Sequence, residues 1–189
     1  MGGDCGLLAG AADRLSSKRG WAVLFKPTAS NSLLDNVKFV SRLTRASGYE
    51  CIYVTLNKPH SQVAELLGSE GADLSKVSFV DAVSSASGLP QVKRANLVYV
   101  NGTENLTELS LAIDALLKRQ PHTKRMVFFD SLSTLLLYHS PESVARFSQF
   151  MTCKIRGSGA SGALVYLEKH PGIHNSLMQF CDELVAIEG

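Results

Sequence analysis

The residues able to do chemistry in this chain stand directly after its short apolar runs. They are Lys26-Pro27-Thr28-Ala29-Ser30-Asn31, Asn57-Lys58, Asp81, Asn101, Asp130-Ser131 and Glu168-Lys169-His170. The first of these occupies the place of a phosphate-binding loop. Such a loop reads G-x-x-x-x-G-K-[ST]: glycines open backbone amides to phosphate, the lysine neutralises it, and the hydroxyl holds magnesium. Aligned on that pattern, Lys26 and Asn31 stand at the glycine positions, Ser32 at the lysine and Leu33 at the hydroxyl. Every diagnostic position differs, and a leucine cannot ligate a metal. Thr28, Ser30 and Ser32 could still meet an anion at a helix N-terminus, so an atypical nucleotide site stays open as an alternative.

Asp130 is the opposite case. An apolar strand ending in Asp-Ser is where phosphoryl-transfer enzymes present a carboxylate to magnesium. Asp130 is therefore the metal ligand if there is one; otherwise it caps the next turn or bonds Ser133. Lys26, Glu168 and Asp130 can converge at one sheet edge, where Lys26 would fill the phosphate space by pairing with a carboxylate. The alternative is three independently solvated loop residues. His122, His139, His170 and His174 lack the spacing of a zinc site, since Pro171-Gly172 interrupts the pair four apart. Ser131 and Ser133 lack the elbow of a hydrolase nucleophile. The cysteines (Cys5, Cys51, Cys153, Cys181) form no C-x-x-C and read as reduced thiols. Lys118, Arg119, His122, Lys124 and Arg125 make a basic cluster, either a solvated helix end or a nucleic-acid contact without aromatic support. Leu135-Leu136-Leu137 and Tyr138 belong either to the core or to an exposed edge for a protein partner.

These residues need a scaffold, and 189 residues, 45% of them hydrophobic and 19% charged, supply one. That composition excludes general disorder and fits a single α/β domain. A net charge of +2 does not by itself argue for nucleic acid. Continuous apolar runs at 21–25, 51–56, 77–81, 97–100, 126–130, 162–167 and 184–187 read as strands buried on both faces. Helical periodicity appears near 4–18, at 32–46 with a Ser32/Asp35 capping box, at 59–68, and at 104–119 with Thr103 as N-cap. A further helix runs from Ser140-Pro141-Glu142 to 157–159. The alternation predicts a three-layer α/β sandwich around a mostly parallel sheet. Residues 82–96 read as a mobile surface loop. The chain is expected to be one domain over 1–189, with 1–19 as an N-terminal helical extension. No run is long enough to cross a bilayer and no leader is apparent, which gives a cytoplasmic expectation.

Residues 20–188 resemble the RecA/KaiC-like ATPase core, particularly its archaeal KaiC-like members. The resemblance lies in Tyr53-Val54-Thr55-Leu56 with Pro59-His60-Ser61-Gln62-Val63, in Phe128-Phe129-Asp130-Ser131-Leu132-Ser133-Thr134-Leu135, and in Phe180-Cys181-Asp182-Glu183-Leu184-Val185. It implies a RecA-like P-loop NTPase fold and, in the family, a ring-forming ATPase using ATP and magnesium. The family's catalytic glutamate ends the second strand; Asn57-Lys58 stands there in this chain. The expectation is therefore a pseudo-ATPase with no catalytic residue and no cofactor, acting in regulation or scaffolding through a protein partner or as a homo-oligomer. Its vestigial nucleotide site comprises Lys26, Thr28, Ser30, Asn31, Ser32, Asn57, Asp130, Ser131 and Glu168. Two alternatives remain: an ATPase with Asp130 as metal ligand, and a nucleic-acid accessory using Lys118, Arg119, Lys124 and Arg125.

Overall fold

The computed structural model describes residues 3–119, 124–167 and 171–187. Its strands are β1 (Ala22–Lys26), β2 (Glu50–Thr55), β3 (Val77–Asp81), β4 (Leu97–Tyr99), β5 (Arg125–Asp130), β6 (Ser161–Val165) and β7 (Glu183–Ala186). They form one seven-stranded sheet in the order β4-β3-β2-β5-β6-β1-β7, and every pairing is parallel. Parallel neighbours need crossovers, and helices supply them on both faces. Side chains alternate across a strand, so β5 sends Met126 and Phe128 to one half of the core and Val127 and Phe129 to the other. The first half packs under α1 (Gly3–Ser16), α2 (Ser32–Ala46) and α3 (His60–Ser69), centred on Phe25, Phe39, Tyr53 and Phe128. The second packs under α4 (Leu106–Arg119), α5 (Leu132–Leu135), α6 (Pro141–Gly157) and α7 (Pro171–Met178). This is the expected three-layer α/β sandwich. No described helix is long and apolar enough to cross a membrane.

The expected strands and long helices form, and the differences lie at their ends. Helix α4 begins at Leu106, not after Thr103. Asn105 is its cap: Asn105 Oδ1 accepts from the Glu108 amide (3.0 Å), and the Asn105 amide group donates back to the Glu108 carboxylate (3.3 Å). The N-cap therefore lies two residues beyond the expected Thr103. The expected Ser32/Asp35 box is absent. Asn31 holds the cap position of α2 without a side-chain bond, because Asp35 is engaged elsewhere. The 82–96 segment is exposed from Ala86 onward, but Ser84 is buried beneath it. The single-turn α5 and the short α7 have too few periodic positions to stand out in the sequence.

In such a sheet every crossover helix starts near the carboxyl edge and ends near the amino edge, so the negative ends of the helix dipoles gather at the latter. Arg125, at the start of β5, answers them. The residue is 5% exposed, and its guanidinium donates to the Leu117 carbonyl in the last turn of α4 and to the Ser158 carbonyl just past α6 (2.7 Å). Lys124 donates to the Ser16 carbonyl at the end of α1 (3.2 Å), Arg119 to the Ala95 carbonyl, and Lys118 pairs with Asp114 (2.7 Å). The basic cluster therefore serves helix ends and a loop, and the expectation that Arg125 offers a surface charge to nucleic acid is corrected: it is buried. His122 lies outside the described residues. Arg125→Ala removes two charge-assisted hydrogen bonds and is expected to cost about 3 kcal/mol. In a urea melt this reads as a lower midpoint at unchanged slope; an unchanged midpoint would mean that the helix ends do not need the cation.

Candidate functional site

The turn leaving β1 and the first turn of α2 form a closed clasp. Thr28 donates both its amide (2.9 Å) and its hydroxyl (2.7 Å) to Asp35 Oδ2. Thr28 and Asp35 are both buried, and a carboxylate in the first turn is favoured by the helix dipole. A phosphate loop aims its amides at a ligand; this turn aims the Thr28 amide at the chain's own carboxylate. Ser30 and Asn31 lie exposed on the outside of the turn, and the Asn31 carbonyl accepts from the Asp35 amide (3.0 Å). Lys26 is half-buried at the end of β1, where its carbonyl accepts from the Ile187 amide (2.8 Å). Glu168 and the expected convergence of Lys26 upon it lie outside the described residues.

Beyond the clasp, between α2 and the ends of β2 and β5, is a cavity of about 270 Å³. It is lined by Asn36, Asn57 and Asp130, by Leu33, Leu137 and Leu167, and by Ser32 and Ser131 among others. Asp130 is buried and accepts from the Tyr53 hydroxyl (2.7 Å), and the Asn36 and Asn57 side chains also favour its charged form. Burial pushes its carboxyl up from the ordinary value despite these donors. The Tyr53 phenol is pushed well up too, by its own burial and by the negative charge of Asp130. Asn57 Oδ1 accepts from the Thr134 hydroxyl, and Ser131 Oγ lies 3.3 Å from Thr134 Oγ1. Asp130 and Ser131 are joined by a cis peptide bond. Ser133 does not bond Asp130, as one expectation had it: its hydroxyl donates to the Leu167 carbonyl (3.0 Å) and accepts from the Leu167 amide (2.8 Å). Among the described residues no group of three His, Cys, Asp or Glu is placed to hold a metal.

A second acid at this edge is more fully satisfied. Asp81, at the end of β3, is completely buried. Oδ2 accepts from the His60 amide (2.8 Å), His60 Nδ1 (2.8 Å) and the Ser84 hydroxyl (2.6 Å). Oδ1 accepts from the amides of Val83 (2.8 Å) and Ser84 (2.9 Å). Burial works upward on this carboxyl, but the Ser84 hydroxyl and the amides of His60, Ser84 and Val83 outweigh it and hold the carboxyl below its usual value. His60 opens α3, so Asp81 is also the anion at that helix N-terminus. Sequence reasoning marked Asp81 as a strand-end residue and missed His60, whose partner is 21 residues away.

A family model matches residues 36–186. The chain belongs to the family of unknown function DUF7504. Among solved structures, this DUF7504 chain is similar to uncharacterized protein PH0321 of Pyrococcus horikoshii, solved in complex with an unknown peptide. The two are 15% identical with a TM-score of 0.69, over 91% of this chain and 81% of that one. It is also similar to the KaiC-like protein PH0186 of Pyrococcus horikoshii OT3, at 16% identity and TM-score 0.60, over 88% of this chain and 70% of the other. The fold is therefore a RecA/KaiC-like core. A stretch of 95 residues is 32% identical to the type II methyltransferase M.HgiDI of Herpetosiphon aurantiacus; it covers 50% of this chain and only 30% of that enzyme.

Within this DUF7504 fold the expected site residues separate. Thr28 is held in the clasp with Asp35; Ser32, Asn57, Asp130 and Ser131 meet around the cavity; Ser30 and Asn31 face outward. The leucine run also divides: Leu135 is buried, whereas Leu137 and Tyr138 are 74% and 54% exposed. The two acids titrate in opposite senses. Asp81 is depressed in the fold, so its stabilisation is complete above the ordinary carboxylate value near ~3.9 and is lost as pH falls through the lower folded value. Asp130 is raised, so the fold binds its proton more tightly than the unfolded chain, and stability drops as pH climbs from the ordinary value through the raised one. Thermal melts across pH should show Asp81→Asn losing part of the acid limb. Asp130→Asn should lose the decline above that limb and gain on wild type toward neutral pH. A widening deficit of Asp130→Asn toward neutral pH would contradict the assignment.

Proposed function

We propose that this chain is a RecA/KaiC-like module that does not hydrolyse ATP and acts as a regulatory or scaffolding subunit through protein contacts. The observation that carries the reading is the Asp35 carboxylate lodged in the β1–α2 turn, bonded to the Thr28 amide and hydroxyl. Magnesium-ATP, which the fold family implies, does not fit these residues. A triphosphate would have to displace both bonds and then sit against a buried negative charge, a repulsion that low local dielectric strengthens. Leu33 offers no oxygen to a metal. Asn57, where the family's glutamate would activate water, is an amide and takes no proton at working pH.

Protein contact is supported by the surface at the same edge. Leu137 and Tyr138 stand well exposed side by side, each against a separate cavity: Leu137 beside Asp130, and Tyr138 beside Ala82, Ser85 and Thr103. The similar PH0321 was solved with a peptide bound. An assembly with a partner or with further copies of the chain follows from this reading.

Thermal melts with magnesium-ATP test it. A ligand present at a hundred times its dissociation constant stabilises the folded chain by about 2.7 kcal/mol. The expected result with millimolar magnesium-ATP is an unmoved melting temperature. A saturable rise would overturn the proposal in favour of an atypical nucleotide site built on Asp130.

A further inference from the structure

Strand β4 is the last of the sheet, so one of its sides has no strand partner. The other side is spent on β3: the Asn96 carbonyl accepts from the Phe79 amide (2.8 Å), and the Val100 amide donates to the Asp81 carbonyl (3.0 Å). Bonding residues alternate along a parallel strand, so Asn96, Val98 and Val100 serve β3 while the backbone of Leu97 and Tyr99 turns outward. The Leu97 amide donates to the Arg94 carbonyl (3.3 Å), whereas the Tyr99 amide and carbonyl have no backbone partner among the described residues. Such an edge is a template for one more extended chain.

Beside this edge lies a cavity of about 390 Å³, lined by residues 91–95 with Leu97 and Tyr99. It is open to solvent, since every residue from 86 to 96 is exposed. Its charge has one sign. Lys93 and Arg94 line it with no acid among them, and the chain carries no Asp or Glu between Asp81 and Glu104. Neither cation has a side-chain partner among the described residues. Arg119 brings a third cation to the same segment through its bond to the Ala95 carbonyl. The Tyr99 hydroxyl accepts from the Val92 amide (3.1 Å), and its own proton meets no described acceptor. The groove therefore offers cations and a hydroxyl proton without a counter-charge, and a carboxylate is their complement.

We infer that this groove receives an extended acidic segment of a partner protein, bonded through its main chain to the outward backbone of Tyr99, with its carboxylates set against Lys93 and Arg94. Main-chain pairing supplies the affinity of strand addition and the side chains supply its selectivity. A single-stranded nucleic acid would also bring negative charge, but it stacks its bases on open aromatic faces. The Tyr99 ring is instead half-buried and packed on His60, with centroids 5.6 Å apart at 82°. The inference deepens the protein-contact reading above and rests on it, and it places the contact on residues that do not line the Asp130 cavity.

The test uses the full chain and two fluorescein-labelled peptides, Gly-Val-Glu-Val-Glu-Val-Gly and the same peptide with glutamine for glutamate. Anisotropy is expected to show the acidic peptide binding about tenfold tighter, and the Tyr99 amide should shift in ¹H–¹⁵N spectra. Lys93→Gln combined with Arg94→Gln should erase that preference while leaving the melting temperature in place, because both residues are exposed. N-methylation of the acidic peptide at its valines or at its glutamates blocks one or the other side of the strand, so one of the two forms should lose binding. Equal binding of the acidic and glutamine peptides, or full binding of both methylated forms, overturns the inference. Oligouridylate binding more tightly than the acidic peptide overturns it in favour of nucleic acid, and free glutamate competing as well as the peptide overturns it in favour of a small anion. A rise in melting temperature with magnesium-ATP overturns the parent reading whatever the peptides do, so the two failures are distinguishable.

Discussion

A sheet in which every strand runs the same way, flanked by its crossover helices, separates charge. Helix N-termini collect at the carboxyl edge and C-termini at the amino edge, and their unpaired amides and carbonyls need partners of opposite sign. Nucleotide-binding members of such folds answer the carboxyl edge with phosphate. This chain answers it from within, through Asp35 against the Thr28 turn and Asp81 against the start of α3. Arg125 does the converse at the amino edge, giving one guanidinium to the ends of α4 and α6.

Asp130 stands apart from that arrangement. Asp35 and Asp81 sit where donors converge on them, whereas Asp130 is buried deeply enough that its ionisation is disfavoured even with Tyr53, Asn36 and Asn57 in contact. A group that works against stability in its own site, beside an orphaned acceptor and below an exposed apolar rim, marks where local consistency has been given up. Function is expected at such a place.

Much of the fold could be read from residue order, because continuous apolar runs such as Trp21–Phe25 and Met126–Phe129 have no stable place except between two helical layers. The clasp was half visible. Ser32 and Asp35 have capping-box spacing, but the carboxylate reaches past the cap position to Thr28, and only the path of the 27–31 turn decides that. Asn105 and Glu108 carry the same spacing and do bond each other across the cap, so the pattern alone did not choose between them. Arg125 looked like part of a surface cluster, since a charged residue before a strand normally faces water; its burial comes from two helix ends meeting above it. The His60–Asp81 contact exists only because β2 and β3 lie side by side. Asn36 carries no sequence signal: an amide in a helix becomes informative only when its surroundings are known.

The account rests on the chain's own carboxylate occupying the place of a phosphate, and the Thr28 amide reports on it directly. Its ¹H–¹⁵N resonance, followed through a titration with magnesium-ATP, should stay in place, and the Asp35 carboxyl carbon signal with it. A saturable shift of Thr28, accompanied by release of Asp35, would show that the turn opens to triphosphate and would contradict the account.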